Sequence, residues 1–227
     1  MHSEFSAASP YWISWADRTP QPANNSTFED PDCPRLFSLK ARGLVHNAKP
    51  SQVLLPNRDG TFFILASPIQ IIGHPTIGVF IDGECERNGT PLAKGSFGVY
   101  FGQHSCYNLR DKLPADFPLT SQRTELMAAV SALRQIEIVA SEDKFLELFI
   151  IVTESAYLVN SITGYIVKWK QNGWKTSSGK DVANRDLFEI LESMLKHLSK
   201  LNEGVDVLFW KVDPSEDVGA DRSVLSL

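Results

Sequence analysis

Residues 77–83 read Ile77-Gly78-Val79-Phe80-Ile81-Asp82-Gly83, a compact apolar run closed by an acid and a glycine. Such a run predicts a strand buried on both faces, ending in a turn at Asp82-Gly83. Upstream, residues 1 to about 60 are rich in Ser, Pro, Asn and Asp without a sustained period, which predicts an irregular extension. Thr61 to Gly73 is apolar and broken at Pro68, so it adds at most a short hairpin or edge strand. Downstream, Ser96–Gly102 and the segment around Cys106–Leu109 read as two further strands of a meander. Thr120 or Ser121 caps a helix running to about Val139, with Leu126, Ala129, Val130, Leu133 and Ile136 at helical spacing. Leu146–Thr153 is a strongly apolar strand, followed by a short helix from about Ala156. A second long helix spans Val182–Leu201, with Leu187, Ile190, Leu191, Met194, Leu195 and Leu198 facing inward. Val205–Val212 is the last strand. This order predicts an α/β (α+β) class: a five-stranded mixed sheet flanked by helices over residues 76–227, preceded by an extension over residues 1–75.

The chain has 227 residues, 43% of them hydrophobic, enough to bury a substantial core. It lacks an apolar run long enough for a membrane span, and its start lacks the layout of a signal peptide. Cys33, Cys85 and Cys106 are odd in number and widely spaced, which excludes a disulfide framework or a zinc motif. These features predict an intracellular protein of the cytoplasm or nucleus. A net charge of −5 counts mildly against a nucleic-acid partner. Local clustering of Lys and Arg, however, governs phosphate binding. From Ala156 to Lys180 there is no carboxylate, while Lys168, Lys170, Lys175 and Lys180 are interleaved with Tyr157, Tyr165, Trp169 and Trp174. That composition suits a groove for phosphates and bases; a solvated helix face with its Trp rings turned inward has the same composition.

Four acids stand where elements begin or end: Asp82, Glu125, Glu154 and Asp221. On neighbouring strands they would converge, and converging carboxylates repel unless a cation neutralises them. All-oxygen ligands select Mg²⁺ or Mn²⁺, and two such ions catalyse phosphodiester cleavage. The spacing is equally met by four unrelated surface acids.

The stretch from Ile77 to about Asp221, roughly two-thirds of the chain, resembles the type-one ribonuclease H family. Phe80-Ile81-Asp82-Gly83 resembles the family's opening strand, with Cys85, Asn88 and Gly89 in the matching turn. GSFGVYFG at 95–102 resembles its second strand, and Thr120-Ser121-Gln122-Arg123-Thr124-Glu125-Leu126 its T-N-x-R-A-E-L helix start. Thr153-Glu154-Ser155 lies where the family has T-D-S. Asn172-Gly173-Trp174-Lys175-Thr176, then Gly179-Lys180 and Asn184, resembles the basic protrusion of the cellular enzymes. The resemblance implies Asp82, Glu125, Glu154 and Asp221 as catalytic, metal-binding acids using Mg²⁺ or Mn²⁺. It implies Asn88 and Gln122 at the RNA 2′-hydroxyls, and Thr120 and Asn184 at a DNA phosphate. Tyr157, Tyr165 and Trp169 would line the DNA channel, with Lys170, Lys175 and Lys180 in the basic segment and Trp174 in the core. The implied activity is endonucleolytic hydrolysis of the RNA strand of RNA–DNA hybrids.

Three departures bear on that activity. Glu154 replaces Asp, moving the carboxylate by about 1.5 Å. The family's G-H-S-G loop is replaced by the acidic link 212–221, resembling the shortened link of some fungal members. The sequence ends at Leu227, which leaves about a turn and a half of the family's last helix and makes Asp217 a competing fourth ligand. These departures define the alternative: a catalytically impaired nucleic-acid-binding module of the same fold.

Overall fold

A computed structural model of the protein describes residues 35–37, 48–66, 75–114, 116–202 and 204–213. In chain order come a helical turn α1 (Pro50–Val53), strands β1 (Leu54–Pro56), β2 (Phe63–Leu65), β3 (Thr76–Glu86), β4 (Lys94–Tyr100) and β5 (Leu109–Lys112), and helix α2 (Ser121–Glu142). Strand β6 (Leu148–Thr153) leads into α3 (Ala156–Asn160), a π-helical turn at Ser161–Tyr165, and α4 (Ile166–Gln171). Helix α5 (Arg185–Leu198) and strand β7 (Asp206–Lys211) follow.

The sheet is mixed, as expected. β3 pairs antiparallel with β4 and parallel with β6, which pairs parallel with β7. It has seven strands among the described residues, two more than the five expected, because β1 and β2 of the extension join it. The hairpin that supplies them begins earlier than Thr61. Asp59-Gly60 makes its turn, with Gly60 at a φ of 74° and Asp59 Oδ1 accepting from the Thr61 amide at 3.0 Å. The expected segment Thr61–Gly73 is otherwise partly outside the described residues.

β3 does not stop at Asp82-Gly83. It continues to Glu86 because β4 pairs with it across Gly83↔Phe97, Glu84↔Ser96 and Cys85↔Gly95. The turn falls at Arg87–Thr90 instead, with positive φ at Arg87 and Gly89. β5 likewise lies a few residues later than expected, where Leu109–Lys112 can pair with β4.

Alternation along the central strands divides the interior into two cores. One face of the sheet carries Ile77, Val79, Ile81, Phe149, Ile151, Val207 and Phe209, packed under the apolar stripes of α2 and α5. All five side chains expected to face inward from α2 are buried. On α5, Ile190 departs from expectation: it is 40% exposed. Its helix starts only at Arg185, because Val182 is spent donating its amide to the Trp174 carbonyl.

The opposite face carries Phe80, Tyr100, Leu148, Ile150, Val152, Leu208, Trp210 and Val212, and the extension covers it. Val53 and Leu54 close over the sheet, with Phe63 and Leu65 beside them. A strap at Arg35–Phe37 runs parallel to β7: the Phe209 amide donates to the Arg35 carbonyl and the Phe37 amide to the Phe209 carbonyl. Phe37 then packs its ring on Trp210, with centroids 5.1 Å apart. No helix among the described residues is long and apolar enough to cross a membrane.

Candidate functional site

The acids gather at one end of the central strands. The parallel register of β3 and β6 ends at Phe80↔Val152, so two further residues along each chain bring Asp82 level with Glu154. Asp82 is exposed there, its Oδ1 accepting from the Gly83 amide at 2.8 Å. Glu125 reaches the same end from the first turns of α2. That approach depends on Gly83: a Cβ at this position would lie 2.4 Å from the Glu125 amide nitrogen, so any larger residue would lift the helix off the strand.

The two charges meet. Burial first, and then the neighbouring Asp82 charge, raise the Glu125 carboxyl above the ordinary carboxylate range, although a hydrogen bond from Ser155 works the other way. The Ser155 hydroxyl donates to Glu125 Oε2 at 2.5 Å while accepting from the Leu158 amide at 3.1 Å, so one buried serine both caps α3 and holds the acid. Neither Asp82 nor Glu125 has a basic partner among the described residues. Glu154 follows β6 and is half-buried. Asp221 and its competitor Asp217 lie outside the described residues. Among those described, no three His, Cys, Asp or Glu side chains stand close enough to hold one metal ion.

The expected contact residues lie on these elements and their neighbours. Thr120 caps α2, its hydroxyl accepting from the Arg123 amide at 3.2 Å, and Gln122 is exposed one turn from Glu125. Asn88 is exposed in the β3–β4 turn. Asn184 takes a left-handed conformation with φ 56° at the start of α5. Arg123 fixes it: this 6%-exposed side chain donates to Asn184 Oδ1 at 3.3 Å and to both Asp186 oxygens at 3.1 and 2.5 Å. Tyr157 lies half-buried between these groups, its ring 5.8 Å from Phe188 and its hydroxyl donating to the Ala183 carbonyl at 3.3 Å. Burial raises its pKa, and the Glu125 charge adds to that.

The Arg123–Asp186 pair makes a pH-dependent contribution. The Arg123 guanidinium holds the Asp186 carboxyl below its usual value of 3.8 in the fold. A depressed folded pKa contributes stability that is present above the unfolded value and lost as the pH falls through the folded one. Asp186→Asn should therefore cost about 1 kcal/mol at neutral pH. In thermal melts the deficit should begin to shrink as the pH falls below 3.8 and vanish once it passes the lower folded value; a deficit constant from neutral to acid would show that the pair is not ionic.

The basic segment is less free than its composition implies. Lys170 Nζ donates to Glu192 Oε2 and Lys175 Nζ to Asp181 Oδ1, each at 2.6 Å. Lys168 and Lys180 are exposed and have no acidic partner among the described residues. Tyr165 is 52% exposed, with its ring 5.8 Å from Trp169. Trp169 is half-buried against Phe188 and Trp174, and Trp174 is buried, as expected for a core residue.

Sequence reasoning assigned no role to Ser155 or Arg123. Arg123 carried a signal, being the one arginine in a helix start otherwise made of small and polar residues. Ser155 carried only its place beside Glu154.

The family model for RNase H matches residues 74–202. Ribonuclease H1 of Homo sapiens is 34% identical over 134 residues, covering 59% of this chain and 42% of the human protein. Ribonuclease H of Afipia carboxidovorans is 35% identical over 122 residues, covering 54% of this chain and 74% of the relative. The match spans about two fifths of the length of the mammalian relatives. Among solved structures, LC9-RNase H1, a type 1 RNase H with the type 2 active-site motif, aligns with a TM-score of 0.47 and 21% identity, covering 69% of this chain and 72% of that one.

Proposed function

The chain belongs to the RNase H family, and on that premise we propose that it is an endoribonuclease hydrolysing the RNA strand of RNA–DNA hybrids. The observation that carries the reading is the facing pair Asp82 and Glu125, two carboxylates that repel each other with no basic partner among the described residues. Such a pair is short of positive charge, and its oxygen-only chemistry fits a hard divalent cation, Mg²⁺ or Mn²⁺. Asp82, Glu125, Glu154 and Asp221 would hold it. When bound, the metal supplies a nucleophile from water and neutralises the leaving oxygen.

The remaining work falls to the protein's own side chains. Asn88 and Gln122 would accept or donate to ribose 2′-hydroxyls and so distinguish RNA from DNA. Thr120 and Asn184 would hold a phosphate of the DNA strand, with Arg123 fixing the Asn184 carboxamide from behind. Tyr157, Tyr165 and Trp169 offer faces to the DNA strand, and Lys170, Lys175 and Lys180 meet its phosphates. Residues 76–227 would form the catalytic domain, with the extension completing its sheet and second core. The free thiols of Cys85 and Cys106 suit an intracellular setting, cytoplasm or nucleus.

Glu154, where the family has Asp, favours one alternative: an impaired module that grips hybrids and cuts them poorly. Glu154→Asp should discriminate. With a labelled hybrid in Mg²⁺ and in Mn²⁺, it should raise the single-turnover rate by about 10- to 100-fold, since displacements near 1 Å have that effect on in-line chemistry. Cleavage by the unaltered protein supports the enzyme. Cleavage only after the substitution supports the impaired module, and no cleavage by either protein counts against the four acids as a metal site.

A further inference from the structure

Glu192 on α5 is the centre of a three-charge arrangement that spans the extension and the basic segment. Its side chain is 17% exposed, with Oε1 accepting from Arg35 Nη1 and Oε2 accepting from Lys170 Nζ at 2.6 Å. Burial alone would raise this carboxyl, but Arg35 and Lys170 together hold it below the ordinary range, so it stays ionised. One negative charge is therefore shared between two positive ones. Arg35 cannot drift from this position easily, because the strap's backbone is hydrogen-bonded to Phe209 on both sides of Leu36 and anchored by buried Phe37.

Lys170 neighbours Trp169 on α4, in the segment read above as meeting the DNA strand. Without Arg35, the Glu192 carboxylate would face Lys170 alone, and the two charges would cancel before any phosphate arrived. With Arg35 in place, the group of three carries a net positive charge at the outer position. We infer that Arg35, which lies outside the family-matched segment 74–202, is a positioning residue. It takes one oxygen of Glu192, so that Lys170, bonded to the other oxygen and the more exposed of the two cations, keeps a net positive charge for a nucleic-acid phosphate. The inference rests on the hybrid-binding reading of the preceding subsection.

The test is equilibrium binding of the full chain to a fluorescein-labelled RNA–DNA hybrid in EDTA, with steady-state cleavage measured separately. Arg35→Gln should weaken binding about two- to fivefold, the range of a partly exposed charge pair, and raise KM while leaving kcat unchanged. Arg35→Lys should restore the affinity, and Glu192→Gln should tighten binding by a similar factor. In a Lys170→Met background, Arg35→Gln should have a clearly smaller effect, because no lysine remains for the freed carboxylate to neutralise. The inference is overturned if Arg35→Gln binds as the unaltered protein does, or if its effect persists undiminished without Lys170. Rescue by Arg35→Lys excludes a mere loss of fold, and a lysine that fails to rescue also counts against the inference. Absence of hybrid binding by the unaltered protein would instead overturn the nuclease reading, and this inference with it.

Discussion

Asp82→Asn is expected to lower the single-turnover rate of hybrid cleavage by about 10²-fold or more, the scale of losing one group that acts on the reacting centre. The substitution is nearly isosteric, and Asp82 is exposed. An asparagine carbonyl can still accept from the Gly83 amide, the hydrogen bond that Asp82 makes among the described residues. The melting temperature should thus hold, while the metal site loses a formal charge. Two further readouts follow from the same geometry. Metal binding in a Mn²⁺ titration should weaken, and the Glu125 carboxyl, raised in part by Asp82, should fall towards the ordinary range in a carboxyl-resolved NMR titration. Hybrid binding in EDTA should be kept or slightly tightened, because one negative charge leaves a surface that meets phosphates. Cleavage untouched by Asp82→Asn would place the active site elsewhere.

A chain beginning at residue 76 is expected to lose cooperative folding. It would lack Phe37, Val53, Leu54, Phe63 and Leu65, all buried and all facing the second core. At about 1.5–3 kcal/mol for each fully buried side chain, the loss is of the order of the whole stability of an ordinary domain, about 5–15 kcal/mol. The strand residues left uncovered, among them Phe80, Tyr100, Leu208 and Trp210, would form a large apolar face. Circular-dichroism melts should show a broad or absent transition, and a hydrophobic dye should bind. Leu65→Ala in the full chain is the gentler version: Leu65 is 0% exposed, and its truncation should cost about 2–5 kcal/mol. A sharp melt for the shortened chain, within a few degrees of the full one, would show the extension to be dispensable.

The contrast between the two cores shows what the sequence made legible. The core under α2 and α5 could be read because its residues repeat at helical spacing on long elements. Strand β3 also announced itself as an apolar run. The second core draws on Phe37 and Leu54, scattered in a segment with no period, and on Phe63 and Leu65 of the apolar stretch read as a short hairpin or edge strand. Only the fold brings them together: the turn at Asp59-Gly60 that joins β1 to β2 does not say which face they cover. At the site, Asp82 and Glu125 could be named from the ordered motifs, and the structure sets them within each other's field. Ser155 and Arg123 escaped because their partners stand 30 and 61 residues away. The lysines of the basic segment looked free for a similar reason. The acids that hold Lys170 and Lys175 lie at Glu192 and Asp181, beyond the stretch that contains no carboxylate.

The strap at Arg35–Phe37 also sets the order in which the protein can assemble. Its partner strand β7 lies at Asp206–Lys211, and the Arg35–Glu192 contact alone closes a separation of 157 residues. During synthesis the strap leaves the ribosome early but has nothing to pair with until β7 follows. Much of the first core, from α2, β3, β4 and β6, can gather before then, although Val207 and Phe209 join it only with β7. Closure of the second face is then a late, non-local step of the kind that slows folding. Until it happens, Trp210 and its neighbours stay exposed to chaperones and to other chains.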